Sequence, residues 1–227
     1  MTETTGKPRG PRKKLSRELI LGAALKLADE DGIDAVSMRR LGQALHGEAM
    51  SLYKHVSGKE DILDGIADLV MLEVAVPARD LPWRTALRQS AISSHEALLR
   101  HPWASAVLES RRNPGPARLG YLDAVVSILL EAGFTLPDVA RAFMAVDSHV
   151  YGFTLMILAW PFDLRDAPDE AELMAAETFG DTFPGLREMA GLALGKDGVP
   201  IELEFGLDLI LDGLERRLAD RSSAGPA

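Results

Sequence analysis

From residue 16 onward, apolar residues return every three or four positions, and small polar residues or glycines punctuate the runs. Ile20, Ala23, Ala24, Leu27 and Ala28 make one such stripe behind Ser16, a good helix N-cap, and Gly32 ends it. Ile33 and Val36 anchor the connection that follows. Ser37 caps a short helix with apolar positions Met38, Leu41, Ala44 and Leu45. A break at His46–Gly47 leads to a second short helix over about 49–56, in which Leu52 and Val56 share the inward face. Ser57 and Glu60 have capping-box spacing, so the next helix is predicted over 57–75, through Ile62, Leu63, Ile66, Leu69 and Val70.

Beyond Pro77 the helical period continues but the segments become longer and more apolar. Asp80 and Pro82 start a helix that stops before Pro102, and Pro114–Gly115–Pro116 precedes one at about 117–132, closed by Gly133. Thr135, Pro137 and Asp138 open a long helix at 137–159, broken at Pro161. The stretch from Asp163 to Pro200 reads as a loop with short helical pieces, and a last amphipathic helix occupies 201–220. No strand alternation and no internal repeat stand out. The pattern predicts an all-α protein.

Charge changes this picture because it is unevenly spread. The 227 residues carry a net charge of −9, which by itself disfavours a polyanionic partner. Residues 1–60 nevertheless hold 11 Lys/Arg against 8 Asp/Glu, whereas residues 61–227 hold 14 against 26. Lys7, Arg9, Arg12, Lys13 and Lys14 lie in a Gly- and Pro-rich stretch that cannot bury a core. Two readings follow: a solubilising tail, or a basic arm for a polyanion, of the kind that enters a minor groove. No apolar stretch follows these charges, so they do not form a secretory signal, and a cytoplasmic location is the default expectation. Cysteine is absent, which excludes disulfides and thiolate metal sites.

Two short helices joined by a tight Gly-containing turn outline a helix-turn-helix, whose second helix enters the major groove of DNA. The row Tyr53-Lys54-His55 at the end of that second helix then has a purpose. Lys54 reaches a base edge or a phosphate, and Tyr53 and His55 offer hydrogen bonds to phosphate. The run Ser37-Met-Arg-Arg-Leu-Gly-Gln-Ala-Leu45, followed by Ala49-Met-Ser-Leu-Tyr-Lys-His-Val56 and Lys59, resembles the DNA-binding domain of the TetR family of bacterial transcription regulators. The resemblance spans about 16 to 63. It implies that Ser37, Arg39, Tyr53, His55 and Lys59 contact the DNA backbone, and that Ala49, Met50, Ser51 and Lys54 meet bases. One departure lies in the turn, where family members have Gly, an apolar residue and a small polar residue. This chain has His46, Gly47 and Glu48, and Glu48 there would repel phosphate or accept from a cytosine amino group.

The resemblance also implies a division of labour. It gives a disordered basic arm at 1–15, a helix-turn-helix domain at 16–62, a helical effector-binding and dimerisation domain at 63–221, and a disordered tail at 222–227. The expected function is a homodimeric regulator, a repressor that leaves a palindromic operator when a small molecule binds, with no cofactor and no membrane partner. Candidate effector contacts are His95, Trp103, Phe143, Met144, Asp147 and Tyr151, and ordinary core or dimer packing is the competing reading for each.

No His pair at metal-binding spacing, phosphate loop or nucleophile elbow stands out, so neither a metal nor an enzymatic role is expected. The acidic run Asp29–Asp34 lacks the terminal Glu of a calcium loop and reads as a helix end closed by Gly32. A helical enzyme, or a helix-turn-helix protein without a small-molecule effector, remains the alternative.

Overall fold

The computed structural model describes residues 15–46, 49–159, 177–180, 182–194 and 202–224. The basic arm, the turn residues Gly47 and Glu48, and Trp160 with the following segment to 176 lie outside the described residues. Every regular element among those described is helical. In chain order these are α1 (Arg17–Asp31), a 3-10 turn (Ile33–Ala35), α2 (Met38–Ala44), α3 (Ala49–Leu52), α4 (Lys59–Leu72) and α5 (Trp83–Arg100). They continue with α6 (Ala104–Ser110), α7 (Pro116–Glu131), α8 (Leu136–Ala159), α9 (Pro184–Leu194) and α10 (Leu203–Ala224).

The chain packs as two compact units. The first holds α1–α4 and also residues 100–118, with α6 inside it; the second holds 73–99 and the chain from 119 on. In the first unit Ile20, Leu41, Leu52, Ile62 and Ile66 are fully buried, which puts the predicted inward residues of four helices into one core. Both serine caps form: Ser16 Oγ accepts from Leu19 N and Ser37 Oγ from Arg40 N, each at 3.3 Å. Gly32, at φ 82°, ends α1 with its N–H on the Ala28 carbonyl.

Two expectations need correction here. The second helix of the motif is regular only over Ala49–Leu52, and Tyr53–His55 form a turn, not the helix to 56 that periodicity predicts. The His55 N–H closes onto Leu52 O, three residues back, at 2.9 Å, so the last turn tightens while Val56 still enters the core. The start of α4 is also held differently. Ser57 N donates to Asp61 at 2.8 Å, and Glu60 instead pairs with Arg111 at 2.5 Å.

In the second unit α8 packs along α10. Leu203, Leu207, Leu211 and Leu214 of α10 are buried at helical spacing, opposite Val139, Ala142, Val146 and Val150 of α8. Arg84 and Arg88 of α5 reach the other side of α10: Arg84 meets Asp212 at 2.6 Å and Arg88 meets Asp208 at 2.9 Å. The Pro184–Leu194 helix is a full element within the stretch read as loop, and α10 runs four residues past the predicted end at 220.

Candidate nucleic-acid interface

α1 and α2 set the stage for α3. Leu41 on α2 and Leu52 on α3 are both wholly buried and hold the two helices together. His46 follows α2 in the left-handed region, at φ 53°. That conformation is easy for glycine and costs roughly 1 kcal/mol for another residue. His46, standing where the family has glycine, thus takes a backbone conformation that glycine favours.

With Leu52 facing in, Met50 of the short helix and Tyr53 after it are turned outward. Met50 is 73% exposed and Tyr53 50% exposed. Arg39, Lys54 and Lys59 are also exposed, whereas Ser37, Ala49, Ser51 and His55 are half-buried. Ser37 already spends its hydroxyl as the α2 cap, which fixes the position of that helix N-terminus. Glu48 lies outside the described residues. The described members of the predicted set thus all come from α2, α3 and the start of α4, within the first unit.

Behind this surface, polar ties hold the unit together. Arg17 of α1 meets Asp61 of α4 at 2.6 Å; that hydrogen bond holds the Asp61 carboxyl below its ordinary range and raises the guanidinium. Asp31 pairs with Arg40. Asp29, at the end of α1, accepts from His101 Nδ1 and from Trp103 Nε1, both at 2.7 Å. The acidic run that faintly suggests a calcium loop is therefore spent on helix ties. On α4, Asp68 accepts from the backbone N–H groups of Ala117 and Arg118 at 3.0 and 3.1 Å, capping α7. Gly115 permits this: a Cβ there would lie 2.3 Å from the Asp68 carboxyl carbon. Apart from Asp31 and Arg40, nine positions apart, these partners are not legible from spacing, because each pair is separated by 44 residues or more.

The candidate effector residues separate. Trp103 belongs to the first unit, 8% exposed and bonded to Asp29. The other five lie in the second unit. His95 Nδ1 lies 2.7 Å from Thr154 Oγ1, whose own proton goes to Val150 O, so His95 donates. Burial lowers the His95 pKa, which favours the neutral ring. Phe153 packs edge-on against His95, with ring centres 5.5 Å apart. Phe143, Asp147 and Tyr151 are half-buried on α8, and Met144 is 61% exposed. Sequence reasoning passed over Tyr121 of α7, which is buried, and burial raises its hydroxyl pKa. Among the described residues no group of three or more His, Asp or Glu is placed to hold a metal ion.

Comparison with known proteins agrees with this arrangement. Residues 20–66 match the family described as bacterial regulatory proteins, tetR family, and residues 76–218 match the tetracyclin repressor-like C-terminal domain. The chain is 32% identical to the HTH-type transcriptional repressor DrrR1 of Streptomyces coeruleorubidus, over 94% of this chain and 82% of that protein. It is 31% identical to the class A tetracycline repressor from transposon 1721 of Escherichia coli, over 94% of this chain and 97% of the repressor. Among solved structures, ActR of Streptomyces coelicolor in complex with actinorhodin superposes with a TM-score of 0.73 at 25% identity, covering 91% of this chain and 99% of ActR. A helix-turn-helix with its outward face exposed, two family domains in the right order and relatives matched along nearly their whole length lead to one conclusion: the chain belongs to the TetR family of ligand-responsive, DNA-binding transcriptional regulators.

Proposed function

We propose that this protein is a homodimeric repressor that holds a palindromic operator and releases it when a small molecule binds the second unit. The observation that carries the reading is the outward face of α3 and the turn after it. Met50, Tyr53 and Lys54 are exposed there around a buried Leu52. In this reading Lys54, Ala49, Met50 and Ser51 meet bases, while Arg39, Tyr53, His55 and Lys59 meet phosphates and Ser37 positions α2. The basic N-terminal arm adds attraction for the polyanion.

The apolar surface of the second unit supports dimerisation. Met144 and Met156 on α8 and Phe205 and Leu209 on α10 are 42–74% exposed in the single chain. α8 is also long and apolar enough to cross a bilayer by length and composition. We assign its outer surface to a second copy of the chain, in a four-helix bundle with α10. Two DNA-binding units would then meet half-sites about one helical turn apart, roughly 34–36 Å.

Solved relatives hold small molecules, actinorhodin in ActR and minocycline in a TetR variant of Acinetobacter baumannii. For this chain the effector contacts fall on His95, Phe143, Asp147 and Tyr151. Release requires the effector to favour a conformer with misplaced recognition helices, and a coupling of roughly 1–3 kcal/mol lowers operator affinity about 5- to 150-fold. No catalytic role is assigned to any residue.

A fluorescence-anisotropy titration against DNA from upstream of the protein's own gene tests this. Binding about a thousandfold tighter than to scrambled DNA, with steep salt dependence, is the expected result. Equal affinity for both would defeat the operator reading.

A further inference from the structure

Met50 is the most exposed large apolar residue described in the first unit, at 73%. The other two are Tyr53, which has a hydroxyl to offer, and Leu72, the last residue of α4. The position of Met50 follows from its neighbour. Leu52 is wholly buried, and two residues along an α-helix is about 200° of rotation, so Met50 points directly away from the core. Ala49 beside it adds only a methyl group, and Lys54 lies exposed one turn on.

The chemistry of the side chain narrows what it can recognise. A thioether is at most a weak acceptor and gives nothing to a phosphate oxygen or to the polar edge of a base. What it offers is a long, unbranched, methyl-tipped apolar surface that adapts to irregular contacts. In the major groove the base edges present hydrogen-bonding groups with one apolar exception, the 5-methyl of thymine. Cytosine presents only a C5–H there, and neither purine carries a methyl at that edge.

Resting on the reading of α3 as the operator-reading helix, we propose that Met50 is a specificity-determining residue that reads the 5-methyl group of one thymine in each operator half-site. Lys54, four residues on in the turn after α3, takes a hydrogen-bonding contact nearby, so apolar and charged readout are divided between two side chains. A cytosine at the thymine position presents C5–H in place of the methyl, so the Met50 tip loses its apolar contact, which disfavours it.

The test removes the methyl without touching the protein. Each thymine of the operator is replaced in turn by deoxyuridine, symmetrically in both half-sites, and affinity is measured for the wild type and for Met50→Ala. Burial of one methyl-sized group corresponds to about a fourfold change in affinity, hence about fifteenfold over two half-sites. The expected result is one thymine position per half-site with such a loss in the wild type, and a loss under about twofold there with Met50→Ala. If no deoxyuridine weakens the wild type, or if the penalty is the same in the variant, the assignment of Met50 is overturned while the operator reading stands. If the wild type does not prefer its operator to scrambled DNA, the operator reading itself fails, and this assignment falls with it.

Discussion

The two units use their surfaces in opposite ways. Among the described residues, the first exposes three large apolar side chains and the second fourteen, from Val76 to Leu209. The first unit spends several of its carboxylates internally and leaves Arg39, Lys54 and Lys59 exposed. Asp29, Asp61 and Asp68 each tie two helices or a helix and a loop, and Met50 of α3 is left exposed. In the second, charges line one side of α10, where Arg84 and Arg88 meet Asp208 and Asp212, while Phe205 and Leu209 remain exposed. A surface closed except at one short helix suits a partner that supplies its own charge. A surface left apolar over long helices suits a second copy of itself, since exposed apolar area of that extent marks an interface.

Breaking the second half of this contrast gives the largest effect. Changing Phe205 and Leu209 together to Glu costs the single chain little, because both are already exposed, but puts unpaired charges in the proposed bundle. Light scattering is expected to show a monomer at micromolar concentration with unchanged helicity, and operator affinity is expected to fall at least about 100-fold as the paired half-sites are lost. A double variant that stays dimeric would remove the contrast.

The first half is tested at Lys54. Lys54→Ala is expected to cost about 1–3 kcal/mol of operator binding, and Tyr53→Phe about 1 kcal/mol, with dimer mass and circular dichroism unchanged. Normal binding by both would move the DNA contact elsewhere.

Smaller still is the loss of an internal tie. Asp68→Ala removes the acceptor for two N–H groups at the start of α7 and is expected to lower stability in urea by about 1 kcal/mol. No change would mean that solvent replaces the cap at no cost.

The smallest effect concerns Asp138 in the second unit. The Thr135 hydroxyl at 2.7 Å, with Arg217, Arg141 and Arg221, holds its carboxyl at about 2, below the ordinary 3.8. A depressed carboxylate stabilises the fold above its unfolded pKa and loses that contribution as pH falls through the folded value. The stability gap between wild type and Asp138→Asn is therefore expected to be full at about pH 5 and to shrink between about pH 4 and pH 2. A gap independent of pH would assign the role of Asp138 to shape alone.

Local chemistry was legible in the sequence where it acts within one turn of chain. Ser16 and Ser37 cap as read, Gly32 and Gly133 end their helices with positive φ, and Leu41, Leu52 and Val56 point inward. The motif and its family follow from that same short-range pattern. What periodicity missed depends on distant residues. Glu60 has the spacing to cap α4 but is drawn to Arg111, fifty-one positions away, and Asp61 takes its place. Trp103 reads as a pocket aromatic until its indole is seen on Asp29. Residues 100–118 read as part of the C-terminal body, yet they pack with the DNA-reading helices because Asp29, Glu60 and Asp68 reach out to them. On α8, residues proposed to face a second copy and residues proposed to face an effector share one periodicity, and only exposure separates Met144 from Phe143.

The measurement that bears most directly on this division is the stoichiometry and affinity of the operator complex, by analytical ultracentrifugation and anisotropy, on an intact palindrome and on one with a scrambled half-site. Two chains bound to the intact site, and affinity at least about 100-fold weaker for the half-scrambled one, is the result the account requires. One chain per operator, with the same affinity for both DNAs, would contradict it.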